Sequence, residues 1–473
     1  MNTDAARRAP ANLALALIVM AGGLIIAIAQ PFNGLDSTGN IMLGTVIAAL
    51  STWIFRPAGG TFIVGAAIIF LGGSLADIPM PDLASGFASP SLWLMIPAMF
   101  LGTSLMRTGL GKRMVYALFR RLKLNYPKIL IGWFVINMLF ALINPSATVR
   151  FLILTPIAVS VADACQLPKG SRGRSLIVIS SWTLSFLPTT AWMNGSLYGP
   201  VFSSFLPEGL MRDMATEQMW FRVMAPWILF GAVFIAILYF VLKPEQKLNI
   251  TKDQVGKMYD DLGPMNRDEK GCLAAFVFML VCLAAQTFLP FSTHLALLAS
   301  FILLLLLGVL TAKDISTGIN WDTVAFFGVI LSFAHIFYVS GLTAWLSPML
   351  SALIEPIAVS PLLFVVALYG ICVLIRFVDV SQGWISSAIM AVATPMLYYD
   401  YGINPLIPIM VFICASNLFF FRYHQPWIVQ VESVCGDGGW NPRHLATASI
   451  LYAGLAAVFL VFNNFYWRLV GIL

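Results

Sequence analysis

Apolar runs long enough to cross a bilayer follow one another from residue 12 to residue 467, and that succession leaves the chain few ways to fold. A hydrocarbon core ~30 Å thick takes ~20 residues of helix. On that rule spans are predicted near 12–30, 41–55, 60–76, 91–106, 175–193, 220–242, 270–288, 294–312, 322–339, 404–421 and 446–467. Only 10% of the residues are charged, against ~25% in soluble domains. No stretch is left for a separate soluble domain. The chain reads as an all-α polytopic membrane protein with about 11 transmembrane helices.

The net charge of +6 fits cytoplasmic loops better than a nucleic-acid surface. Six cysteines show no C-x-x-C spacing and lie mostly inside apolar runs, which points to buried free thiols rather than disulfides or metal ligands. Arg7 and Arg8 precede a first apolar stretch of ~19 residues, long enough to span. It is read as a transmembrane helix with a cytoplasmic N-terminus, not as a signal peptide.

Two further apolar regions, 129–164 and 358–399, are each long enough for two helices but are interrupted, at "NPSAT" (144–148) and "DVSQGWISS" (379–387). The first is flanked by basic residues on both sides: Lys112, Arg113, Arg120, Arg121, Lys123 and Lys128 before it, Lys169, Arg172 and Arg174 after it. The positive-inside rule then puts both ends in the cytoplasm, as a re-entrant hairpin requires. The second has one basic residue, Arg376, between 342 and 403, and its ends read as extracytoplasmic.

One hairpin on each side suggests an inverted repeat. "FLGTSLMRTGLGKRM" (100–114) pairs loosely with "SFAHIFYVSGLTAWL" (332–346) around Gly109 and Gly341, and "TPIAVSVAD" (155–163) with "TPMLYYDYG" (394–402). The expected division is 1–242, a cytoplasmic linker 243–270, and 271–473. Inverted repeats with broken helices place a substrate at the midplane, which is the plan of a secondary transporter rather than an enzyme. No G-x-x-x-x-G-K-[ST] run supports ATP drive.

"LGPMNRDEKGCLAAFVFMLV" (262–281) and "INWDTVAFFGVILSFAHIFYVSGLTAWL" (319–346), with the two interrupted regions, resemble the divalent anion/sodium symporters of the ion transporter superfamily. That resemblance implies an elevator-type carrier of di- or tricarboxylates, or of sulfonate or sulfate. It also implies Na+ as coupling ion, a homodimer, and a bacterial inner membrane. Family members carry Ser-Asn-Thr at each hairpin tip. Here the first tip reads Ser146-Ala147-Thr148, and the second falls near Ile385-Ser386-Ser387, with Ser381, Gln382 and Gly383 close by. Ser146, Thr148, Ser386 and Ser387 are the coupling-ion candidates. The family's unwound segments correspond to "SFLPTTAWMNGS" (185–196), with Thr189 and Asn194, and "ASNLFFFRYHQPW" (415–427), with Arg422 and His424.

Arg150 follows the first tip inside an apolar run, where a charge is expensive. It either forks onto a substrate oxyanion together with Asn144, Ser146 and Thr148, replaces a sodium ion, pairs with a carboxylate such as Asp379, or snorkels. Arg376 and Asp379, three apart, share a helix face and are expected to pair. Arg422 and His424 are either site residues that add a titratable group or a helix end. Asp322 reads as a helix start and His335 as a packing residue. Trp192 and Trp384 lie in proposed breaks, as site walls or packing. The missing tip Asn and the presence of Arg150 make sodium-independent anion exchange or proton coupling a serious rival to sodium symport; further rivals are a cation/proton antiporter, which needs tip carboxylates, and a haem-bearing or catalytic subunit using His335 and His424.

Overall fold

The computed structural model describes residues 3–55, 61–121, 124–143, 146–206, 214–248, 252–285, 293–377, 379, 383, 386–420, 425–435 and 438–473. Among these, the regular elements are all helical. The first half contains α1 (Thr3–Ala29), α2 (Ser37–Phe55), α3 (Phe62–Leu75), α4 (Pro90–Thr108), α5 (Leu110–Phe119), α6 (Tyr126–Ile143), α7 (Ala147–Ala164), α8 (Arg172–Thr183), α9 (Tyr198–Ser203), α10 (Glu217–Met224) and α11 (Pro226–Leu242). After α12 (Lys252–Asp260) come α13 (Arg267–Ala285), α14 (Thr293–Leu306), α15 (Ala312–Thr317), α16 (Trp321–Val339), α17 (Leu342–Ile354), α18 (Pro361–Ile375), α19 (Ser387–Tyr401), α20 (Leu406–Ser416), α21 (Pro426–Cys435) and α22 (Pro442–Leu469).

Among the described residues, six helical stretches, Ser37–Phe55, Ala147–Ala164 and Pro442–Leu469 among them, are long and apolar enough to cross a membrane. Phe62–Leu75, Pro361–Ile375 and Leu406–Ser416 are apolar but shorter. The predicted span 175–193 is a correction in detail: its helix stops at Thr183, and the chain continues through turns.

The element order of α4 to α8 returns in α16 to α20. Gly109 ends α4 and opens α5 at φ +79°, and Gly341 ends α16 and opens α17 at φ +72°. A left-handed residue at a helix end favours glycine, and each glycine is followed by a buried leucine, Leu110 or Leu342. Next come an apolar helix, an interruption, and a helix with an internal proline, Pro156 in α7 and Pro395 in α19. Their N-caps are Ser146 and Ser386, 240 positions apart in the sequence.

The halves interlock through polar contacts at helix ends. Asp322 Oδ2 and Oδ1 accept from Phe62 N–H and Ile63 N–H, both at 2.9 Å, capping α3 from the start of α16. Asp322 is a helix-start residue, as expected, but it serves two helices. Thr103 Oγ1 donates to Gly318 O at 2.7 Å, and Arg107 Nη1 to Val309 O at 2.7 Å. Gly86 donates to Ser332 Oγ at 2.8 Å, and a Cβ on it would meet Gly328 O at 2.1 Å, so only glycine permits that approach.

Arg113 of α5 fastens the segment that leads into α13. Its Nε and Nη2 reach Glu269 Oε1 and Oε2 at 2.8 and 3.0 Å, and its Nη1 reaches Gly263 O at 2.9 Å. Both side chains are buried, at 6% and 5% exposure. Burial alone would push the Glu269 carboxyl up, but hydrogen bonds from Arg113 and Asn266 N–H outweigh it and hold it below the ordinary carboxylate range. A depressed folded value means stability that is present above the unfolded pKa, ~4.3, and lost as pH falls through the folded one. Purified protein should therefore lose melting temperature below about pH 4. Glu269→Ala, which strands a buried guanidinium, should cost about 3–5 kcal/mol at neutral pH. A thermal melt of Glu269→Ala equal to wild type at pH 7 would refute the anchoring role.

Candidate functional site

α8 ends at Thr183, and the following residues form turns and two short 3-10 segments, Pro188–Ala191 and Met193–Gly195. Carbonyls released from a helix in a buried setting need donors from elsewhere. Arg150, the fourth residue of α7 and 0% exposed, supplies them. Its Nε and Nη2 donate to Ser185 O at 3.2 and 2.5 Å, and Nη2 donates to Gly195 O at 2.8 Å and Thr189 Oγ1 at 3.1 Å. Guanidinium has five donors and no acceptor, so it suits a cluster of carbonyls where an ammonium would not span them.

Other side chains hold the same segment. Asn137 of α6 takes the Ser185 hydroxyl on its Oδ1 at 2.8 Å and donates to Trp133 O at 2.9 Å. α10 grips the far side: Trp220 Nε1 donates to Thr190 O at 2.9 Å, Asn194 Nδ2 donates to Glu217 Oε1, and Phe221 stacks on Trp192 at 4.8 Å. Trp192 thus packs against α10.

The second break is built on an ion pair. Arg376 and Asp379 follow α18 and are 1% and 4% exposed. Arg376 Nη1 lies 3.9 Å from Asp379 Oδ1 and donates to Asp379 O. The expected local pair is present. Asp379 Oδ2 accepts from Ser386 N–H at 2.9 Å and Ser386 Oγ–H at 2.5 Å, at the start of α19. Gly383, at φ +88°, lies under α20, where a Cβ would fall 2.3 Å from Ser416 Oγ. α20 ends at Ser416, whose carbonyl accepts from Gln425 Nε2 at 2.5 Å.

The two breaks meet. Tyr198 OH lies 3.4 Å from Asn417 Oδ1, joining the end of the first unwound segment to the start of the second. Phe186 packs on Trp427 at 5.0 Å, Phe151 on Trp427 at 5.9 Å, and Trp182 on Phe419 at 5.3 Å. Among the described residues, the buried atoms Asn194 Oδ1, Ser196 Oγ, Ser416 Oγ, Asn417 Nδ2 and Gln425 Oε1 have no hydrogen-bond partner. Such atoms ask for a reason; Ser416, Asn417 and Gln425 gather at the end of α20, and Ser196 stands just before Tyr198, which meets Asn417.

Of the residues singled out in the sequence, Ser146, Arg150, Thr189 and Asn194 come together around the first break, and Ser386 and Ser387 around the second. Ser146 Oγ caps α7 by accepting from Val149 N–H at 3.4 Å. Thr148 is half-buried one turn before Phe151, and Ser387 is fully buried. Asn144, Ser381, Gln382, Trp384, Arg422 and His424 lie outside the described residues. His335 stands apart from the junction, its Nε2 2.8 Å from Asp82 Oδ1. Sequence reasoning missed Asn137, Ser196, Ser416 and Asn417. The signal for Asn137 was an amide inside the apolar run "FVINMLF".

The chain belongs to the family described as the sodium:sulfate symporter transmembrane region, which matches residues 10–473. It is an integral, multi-pass membrane protein of a transporter family. A membrane protein of Cupriavidus necator is 24% identical, over 95% of this chain and 91% of that one. A chloroplastic dicarboxylate transporter 1 of Arabidopsis thaliana is 23% identical, over 85% of this chain and 73% of that one. Among solved structures, the Alcanivorax borkumensis YdaH transporter shares the fold, with a TM-score of 0.58, 12% identity, and coverage of 84% of this chain and 89% of that one.

Arg150→Met keeps much of the side chain's length but none of its donors. It takes the Arg150 donor from Gly195 O, at about 1–3 kcal/mol, and leaves Ser185 O, among the described residues, with the Thr189 hydroxyl alone. Its melting temperature should fall clearly, and Arg150→Lys should recover only part of the loss. A Met variant as stable as wild type would overturn the pinning role.

Proposed function

We propose that the protein is a secondary active transporter of small organic anions. Di- or tricarboxylates are the first class and sulfonate or sulfate the second. It works by alternating access across the inner membrane of a bacterium, with its N-terminus in the cytoplasm. The observation that carries this reading is the cluster of buried polar atoms without partners, Ser196 Oγ, Ser416 Oγ and Asn417 Nδ2 among them, where the two breaks meet. Hydroxyl and amide donors beside the N-termini of α7 and α19 suit an oxyanion. The relative named as a dicarboxylate transporter supports the same substrate class. The shared element order of the halves supports an inverted repeat over 1–242 and 271–473, joined by 243–270. In that plan 129–164 and 358–399 are re-entrant hairpins, and the carrier moves as an elevator within a homodimer.

The family description carries sodium, with Ser146, Thr148, Ser386 and Ser387 as the coupling-ion residues. Arg150 favours a second reading of the coupling. Its guanidinium lies among oxygen acceptors, Ser185 O, Gly195 O and Thr189 Oγ1, so a fixed cation already stands at the first break. On that reading the carrier exchanges anions, or couples to protons, without sodium.

The test is a thermal-shift titration of purified protein with succinate, citrate and sulfate, in sodium and again in choline. Equal stabilisation in both buffers supports Arg150 as the resident cation. Stabilisation confined to sodium supports symport and sinks the second reading. A melting point that no anion moves in either buffer argues against anion transport.

A further inference from the structure

The second break holds an arrangement that anion transport alone does not account for. The donors at the start of α19 are a main-chain N–H and a hydroxyl, and the Arg376 guanidinium stands within ion-pair range at the end of α18, groups that oxyanions take in proteins. Here they already carry an occupant from the same chain: Asp379 Oδ2 takes Ser386 N–H and Oγ–H, with Arg376 3.9 Å from Oδ1. Ser386 is one of the positions at which the family resemblance places ligand.

We propose that Asp379 is a tethered occupant of an anion seat, and that the transported anion takes this seat while Asp379 accepts a proton. The inference deepens the transport reading and rests on it. A second observation points to a ligand at the same place. Ser416 Oγ is fully buried, has no hydrogen-bond partner among the described residues, and is directed at Gly383 in the turn between Asp379 and Ser386. A seat built only to cap α19 would be complete with Asp379 and would leave no hydroxyl waiting beside it.

The proton follows from charge. An incoming carboxylate that claims Ser386 and Arg376 meets Asp379 at close range, and two carboxylates sharing one site do not both stay ionised. The arriving anion keeps its charge against Arg376, and the displaced Asp379 carboxylate takes a proton from bulk water on the side to which the site is open. On release the anion leaves, Asp379 returns its proton to water on the other side, and its carboxylate closes again on Ser386. One proton moves with each anion, and no electron is transferred.

Among the described residues, Arg376 is the charged group within ion-pair range of it. The elements packed nearby contribute Tyr369 and Cys372 of α18, Cys414 of α20 and Tyr452 of α22, phenols and thiols that are neutral near pH 7. His335 on α16 is engaged with Asp82, and Asp400 lies at the far end of α19.

The test uses the full-length purified chain in weakly buffered detergent, at a pH where succinate and citrate are fully ionised. Binding is read by thermal shift, and protons by a pH indicator. Wild type should take up about one proton per anion bound, with affinity falling about tenfold per pH unit as pH rises. Asp379→Asn, whose amide oxygen still accepts from Ser386, should bind without proton uptake and with pH-independent affinity. Anion binding by wild type with no proton uptake overturns the inference and leaves the transport reading standing. Failure of every anion to bind removes both. If Asp379→Asn does not fold, the wild-type proton count alone decides.

Discussion

A helix that stops inside a membrane protein leaves carbonyls that water cannot reach, and the rest of this structure is arranged around meeting that demand. Where α8 ends, a single guanidinium reaches Ser185 O and Gly195 O, ten residues apart along the chain. It fixes the irregular path between them. Asn137 approaches from α6 and Trp220 from α10, so the segment is held on several sides. An irregular stretch so restrained is a rigid wall, and a rigid wall can carry a binding surface.

The second break solves a related problem with a carboxylate. Its exposed groups are N–H donors at the start of α19, so the internal partner is Asp379, steadied by Arg376. A guanidinium at one break and an ion pair at the other leave the junction electrically mixed. The unsatisfied atoms between them are small, neutral and directional. A surface of that kind discriminates by the placement of oxygens more than by net charge.

The fold was largely legible in the sequence because its signals are long. Twenty-residue apolar runs and the Gly-Leu pairs at Gly109 and Gly341 survive local ambiguity, and both glycines occupy left-handed helix ends. The Thr-Pro pairs likewise fall on matching helices, α7 and α19. The candidate site was legible only in part. Arg150 stood out because charge is scarce in such a chain. Its partners did not, since main-chain carbonyls carry no sequence signature. Ser416 and Asn417 were hidden for a different reason: serines and asparagines at helix ends are common, and only the packing of Gly383 and Tyr198 against them sets these apart.

The Asp322 carboxylate bears on how the protein is made. It caps the first two amides of α3 from 260 residues further along the chain. At ~5–20 residues per second, a ribosome needs roughly ten to fifty seconds to cover that distance. Throughout that interval α3 sits in the insertion machinery or the bilayer with its leading amides uncapped. The first half therefore receives this cap only when the second half arrives to supply it.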